Sequence, residues 1–188
     1  MKEAIRHYIA ECRNKGVTQL GQFPPSASIA KLEPRLAERF RAGELFIERN
    51  DLPAFGAFER EMGCPIPKEI AEYLCAFFHP GIFGYIKGEP ECFMLFPVVS
   101  ICGEEPERKL IDEAEKWYSL YCGSRRFLPI GIYGAYEGMR LLYDTADGNI
   151  RIEYTDNEGN FDERETLMHA AAGSLKELIA ALRIRLTE

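Results

Sequence analysis

Three histidines, six cysteines and thirty carboxylates are the side chains of this sequence best suited to chemistry. A zinc site would ask for ligands at helical or knuckle spacing, and His7, His79 and His169 form neither a His-x-x-x-His nor a His-x-Glu pair. Cys12, Cys64, Cys75, Cys92, Cys102 and Cys122 contain no Cys-x-x-Cys, so neither a zinc knuckle nor a dithiol redox motif is present. Ser124, within Gly123-Ser124-Arg125-Arg126, lacks a nearby base and a nucleophile-elbow pattern, and reads as a loop serine. Gly131, Gly134 and Gly138 are misspaced for a dinucleotide loop and precede a strand rather than a helix. They read instead as turning points around Tyr133 and Tyr136. A distant pair such as Cys92 and His169 would depend on the fold to bring it together. Cys12 and Cys75 fall on apolar helical faces and read as buried thiols, and His79 before Pro80-Gly81 reads as a turn residue. No catalytic residue, metal ligand or cofactor is expected.

What the sequence does offer is charge. Glu89, Glu91, Glu104, Glu105 and Glu107 fall within 19 residues, and Asp144, Asp147, Glu153, Asp156 and Glu158 follow along a later stretch. Each alone is an ordinary solvated carboxylate. Gathered on one concave face they would steer a basic partner and speed its encounter. Exposed ion pairs contribute only about 0–1 kcal/mol each, so affinity needs desolvated anchors. Tyr133 and Tyr136 are the candidates. The expected partner-binding set is therefore Glu89, Glu91, Glu104, Glu105, Tyr133, Tyr136, Asp144 and Asp147.

The whole-chain balance agrees. The net charge is −7, which disfavours binding to nucleic acid. Residues 1–50 carry nine basic and six acidic side chains, a balance of +3, and the remainder 14 basic and 24 acidic, a balance of −10. A mildly basic N-terminal arm (1–50) is thus joined to an acidic body (51–188). With 188 residues and 46% hydrophobic side chains, the chain can bury a core without disulfides or metal. The start has no apolar signal region. The longest nearly apolar stretch, Cys92 to Cys102, is far short of the ~20 residues that span a bilayer. A cytoplasmic protein with reduced thiols and no membrane insertion is expected, with peripheral membrane association only through a partner.

The elements that must position these groups follow from periodicity. Ile5, Tyr8, Ile9 and Cys12 make one helical stripe, ended by Gly16. Gln19 to Ser28 reads as loop, and a short helix is predicted over 34–41. Asn50-Asp51 can cap a helix carrying Phe55, Phe58 and Met62, closed by Gly63. Pro67 opens a helix with Ile70, Tyr73, Leu74 and Phe77 on one side. Residues 82–86 and 93–99 read as strands across Lys87-Gly88-Glu89-Pro90, with Pro97 at an edge or bulge. The longest helix is predicted over 106–121. Strands follow at 127–133, 139–144 and 150–155, the last two joined through Asp147-Gly148, and 161–167 is expected to pair weakly. Ser174 and Glu177 form a capping box before Leu175, Leu178, Ile179 and Leu182. Helices, antiparallel strands and a terminal helix predict an α+β fold with helices packed on one side of the sheet.

Several of these patterns resemble the SUKH superfamily. Its acidic Phe-Glu-x-x-x-Gly-x-x-hydrophobic-Pro element is matched by Phe58-Glu59-Arg60-Glu61-Met62-Gly63-Cys64-Pro65-Ile66-Pro67, followed by Tyr73 and Leu74. Its hydrophobic-Pro-hydrophobic-Gly strand is matched by Phe127-Leu128-Pro129-Ile130-Gly131, and its meander by Leu142-Tyr143-Asp144, Asp147-Gly148 and Ile152-Glu153-Tyr154. The second half is similar in order and spacing to the branch of SecY-interacting, Syd-like proteins. The resemblance covers about residues 52–186. Two features depart from it: the sole Trp, Trp117, lies on a helix, and His79-Pro80-Gly81 replaces a Gly-Gly. It implies a SUKH-like fold and a non-enzymatic binding module. Most members are immunity proteins that neutralise bacterial polymorphic toxins, and the expected partner is then a basic toxin domain. The Syd branch implies instead the basic cytosolic loops of the SecY channel. A small enzyme whose site is assembled from distant residues is the alternative of a different class.

Overall fold

The computed structural model describes residues 1–17, 32–50, 55–99, 107–121, 126–134, 139–153 and 168–185. Among them, six helices surround a six-stranded antiparallel sheet and a two-stranded one, an α+β fold. The N-terminal stripe forms α1 (Lys2–Asn14), which buries Ala4, Ile5, Tyr8 and Cys12 in the main core. The arm is thus built into the body's core. Helix α2 (Pro34–Arg41) buries Leu36, Ala37 and Phe40 in a separate small cluster with Ile47 and Val99.

Helix α3 (Gly56–Met62) begins after Phe55, which sits in the left-handed region at φ 48°. Asn50 does not cap it, and Asp51 lies outside the described residues: Phe55 holds the cap position and buries its ring instead of offering an oxygen. Gly63 ends the helix at φ 68°, a conformation that costs a residue with a Cβ. Helix α4 (Lys68–Leu74) follows Pro67 and buries Ile70, Tyr73 and Leu74. Phe77 does not extend this stripe. It lies in β2 (Phe77–Phe78), which pairs antiparallel with β1 (Ile47–Glu48) and forms a small sheet that periodicity did not reveal. Arg49, 3% exposed, locks the junction: its guanidinium donates to the Leu74 carbonyl (2.8 Å) and lies 4.3 Å from the Phe78 ring centre.

The large sheet runs β3 (Ile82–Gly84), β4 (Phe93–Leu95), β5 (Phe127–Tyr133), β6 (Met139–Asp144), β7 (Ile150–Glu153) and β8 (Met168–Ala172) in sequence order. The β8 strand was unforeseen, and the weak strand expected at 161–167 lies outside the described residues. Alternate residues of a strand point to opposite faces. Ile82, Leu95, Leu141 and Ile152, joined through the register of Gly131, make the inner row and are all nearly inaccessible. Gly131 is required there, since a Cβ would clash with the Met94 carbonyl oxygen.

Helix α6 (Leu175–Ala181) packs on α1 and buries Leu175, Leu178 and Ile179. Ser174 accepts from the Glu177 N–H as the capping box predicts (3.1 Å). Glu69 of α4 accepts from the Leu175 and Lys176 N–H groups (3.2 and 2.9 Å), a second cap supplied from 106 residues away. Helix α5 (Arg108–Tyr121) places Leu110, Ile111 and Ala114 in the main core, while Trp117 reaches Phe127 and Leu142 in a cluster of their own. Leu142 faces away from Leu141, so the end of α5 covers part of the sheet's outer face, and the helices are not confined to one side as expected. Among the described residues no helix is long and apolar enough to cross a membrane.

Candidate functional site

Of the carboxylates expected to form one surface, the described Glu89, Glu91, Asp144 and Asp147 lie at two ends of strand β5. Phe127 at its start pairs with Asp144, next to the β6–β7 turn, and Tyr133 at its end pairs with Phe93, next to the β3–β4 hairpin. Six residue steps at ~3.3 Å separate them by roughly 20 Å.

At the β6–β7 end the charge is answered internally. Asp144 has no exposed surface, and its oxygens accept from Arg126 (2.8 and 2.7 Å), Arg151 (3.0 Å) and the Ala146 N–H (3.0 Å). Burial alone would raise its pKa, but these bonds outweigh it and hold the carboxyl below its ordinary value. Asp147 accepts from Arg151 (2.8 Å), from the Asn149 N–H (2.9 Å) and from the Asn149 side chain (2.8 Å). Glu153, also buried, lies at the opposite end of β7, across from Arg140 in the row of Ile132, and accepts from the Arg140 N–H (3.1 Å). Asp144 therefore fixes the hairpin instead of meeting a partner, because its carboxylate is held between Arg126, just before β5, and Arg151 of β7. Asp147 is exposed but engaged.

At the hairpin end Glu91 is exposed and Glu89 is half-buried. Tyr133 donates to Glu89 (2.9 Å), while its ring packs edge-on against Phe93 with centres 4.9 Å apart. At 3% exposure Tyr133 is not the surface anchor expected of it: the strand's alternation turns it into the core. Glu104, Glu105 and Tyr136 lie outside the described residues.

The anchor that residue typing missed lies in the outer register. Phe83 pairs with Met94, and Met94 with Ile132, so the three share a face across β3, β4 and β5. All three are half-buried. The next residue in the row is Arg140, 4.0 Å from Glu113 of α5, where coverage of this face begins. The alternation of Phe83 and Met94 with buried neighbours was the available signal, but it could not say which face the helices would leave open. The edge itself is closed: the Tyr8 hydroxyl donates to the Phe83 carbonyl (2.9 Å) and accepts its N–H (3.2 Å), and Tyr85 bridges to Arg183. A partner would thus meet side chains here, with the Phe83 backbone already satisfied.

His79 is the most perturbed titratable group suited to catalysis near neutral pH, and its surroundings point to a structural role. It has no exposed surface, accepts the Gly81 N–H at Nδ1 (3.2 Å), and lies against Tyr73 and Phe46. Burial lowers its pKa to about 3, so it stays neutral. Cys12 is likewise buried, its thiol pushed up to about 11, mainly by desolvation. Such a thiol is a poor nucleophile. Among the described residues no group of three or more His, Cys, Asp or Glu side chains could hold a metal ion.

No family model, curated protein or solved structure matches this chain.

Proposed function

We propose that this chain is a non-enzymatic protein-binding module of SUKH type, an immunity protein that occludes a basic toxin domain with the outer face of its sheet at β3–β5. The observation that carries this reading is the half-open, in-register row Phe83, Met94, Ile132, built from the strands that flank the Glu89–Glu91 hairpin. An apolar row that packing leaves partly uncovered supplies the desolvated anchors that exposed ion pairs lack. The acidic body, with its balance of −10, suits a cationic partner and chiefly sets encounter rate. The residues carrying the SUKH resemblance support the scaffold. Phe58, Met62, Tyr73 and Leu74 are buried, Gly63 ends a helix, and Gly131 admits the β4 backbone.

The test takes the C-terminal domain of a multidomain toxin encoded beside this chain's gene and measures its association with the purified protein at low and high salt. A complex should form, lose on-rate as salt rises, and weaken at least about tenfold (~1.4 kcal/mol) in Met94→Asp. Absence of a complex, or one indifferent to both salt and Met94→Asp, overturns the proposal. Binding instead to vesicles carrying SecY would move the same face to the Syd-type partner and overturn the immunity role.

A further inference from the structure

A sizeable hollow among the described residues lies along the basic arm. One cavity of about 420 Å³ runs between α1 and the β1–β2 pair, where Arg6, Ile9, Arg13, Phe46, Glu48 and Phe77 line it. A second, of about 200 Å³, continues it toward Leu45 and shares Ile9, Arg13 and Phe46. The larger falls within the usual range for small-molecule sites, roughly 300–1,000 Å³.

Its charges do not cancel. The Glu48 carboxylate is taken by Lys2 (3.1 Å) and, through both oxygens, by Arg6 (2.9 and 3.1 Å). Glu44, on the rim of the second cavity, is held by Arg39 (2.6 and 3.0 Å). Arg13 is exposed, lines both hollows, and makes no side-chain ion pair or hydrogen bond among the described residues. The floor is apolar and braced: the Phe46 ring meets Tyr8 edge-on at 5.8 Å and stacks on His79 at 5.9 Å. A preformed apolar floor beside one uncommitted guanidinium fits a ligand with a hydrocarbon body and a single planar anionic head. Arg presents a fork of donors that a carboxylate answers with two oxygens.

We propose that the groove between α1 and β1 is a binding site for small amphipathic carboxylates, with Ile9, Phe46 and Phe77 contacting the hydrocarbon and Arg13 the head group. The site is separate from the outer sheet face and does not depend on the immunity reading.

The test uses the full chain with decanoate as the probe, reported by displacement of the fluorescent anion 1-anilinonaphthalene-8-sulfonate. Wild type should bind the dye saturably and release it to decanoate but not to decanol. Arg13→Gln should weaken decanoate about tenfold, the loss expected for one charged contact, and Arg13→Lys should restore part of it. Met94→Asp, on the outer face, should leave decanoate binding unchanged. No saturable dye site, equal displacement by decanol, unchanged affinity in Arg13→Gln, or loss in Met94→Asp would each overturn the assignment. Because Met94→Asp is also the variant that tests toxin binding, the two readings fail separately.

Discussion

The two ends of strand β5 hold the same residue types and use them in opposite ways. At the β6–β7 end, Asp144, Asp147, Arg126 and Arg151 form a closed set, with Asp144 wholly buried and the backbone of Ala146 and Asn149 drawn in. At the β3–β4 end, Glu91 stays exposed and Glu89 takes a neutral tyrosine, beside an apolar row that no helix among the described residues fully covers. One end has spent its charge on holding the sheet together; the other keeps charge and greasy surface in reach of solvent. A count of carboxylates therefore overstates what a partner can meet. The sign of a surface depends on which acids find cations within the same two strands.

The contrast can be broken most forcefully at Asp144. Replacing it with Ala takes from Arg151, only 14% exposed at its side chain, the buried one of its two carboxylate partners and removes the Arg126 pair, and should cost about 3–5 kcal/mol in urea unfolding. A loss below about 1 kcal/mol would mean that the network is ornamental. Acid should sharpen the same point. Because the folded pKa of Asp144 is lowered from 3.8, the unfolded chain binds the proton more readily. The stabilisation is then complete above the ordinary carboxyl range and drains away as pH falls through the folded value. Urea midpoints measured downward from pH 6 should drop below about pH 4 in the wild type, and an Asp144→Asn variant should show a shallower acid dependence. The smallest effect belongs to the opposite end. Glu91→Gln should move stability by no more than about 0.5 kcal/mol, as expected for an exposed side chain, while slowing association with a basic partner at low salt. A large stability loss there would erase the distinction between the two ends.

Local pattern carried most of the secondary structure. The limits of β5 and β6 match the predicted 127–133 and 139–144, Gly16 and Gly63 stop their helices, and Ser174 caps α6, because each of these signals acts within a few residues of itself. The small β1–β2 sheet escaped, since two-residue strands have no period to detect. Phe77 was misassigned for a related reason: it continues the helical spacing of Ile70 and Tyr73, yet the chain leaves the helix at Leu74 to pair with β1. The candidate site was legible only in part. Glu89 and Glu91 lie where a turn signal placed them, whereas Tyr133, read as an anchor, turns inward. Phe83, Met94 and Ile132 went unremarked because nothing in their type marks them as exposed.

The sequence by itself determined an acidic α+β chain, its principal helices and strands, and the absence of any local catalytic or metal-binding motif. Those properties are set by neighbours along the chain, where spacing and composition act directly. Only the tertiary structure decided which carboxylates are neutralised, that Glu69 caps a helix 106 residues away, and that the outer row at β3–β5 and the groove beside Arg13 stand open. Those outcomes depend on pairing between distant strands and on which face each helix covers, and long-range register has no signature in any short window of residues.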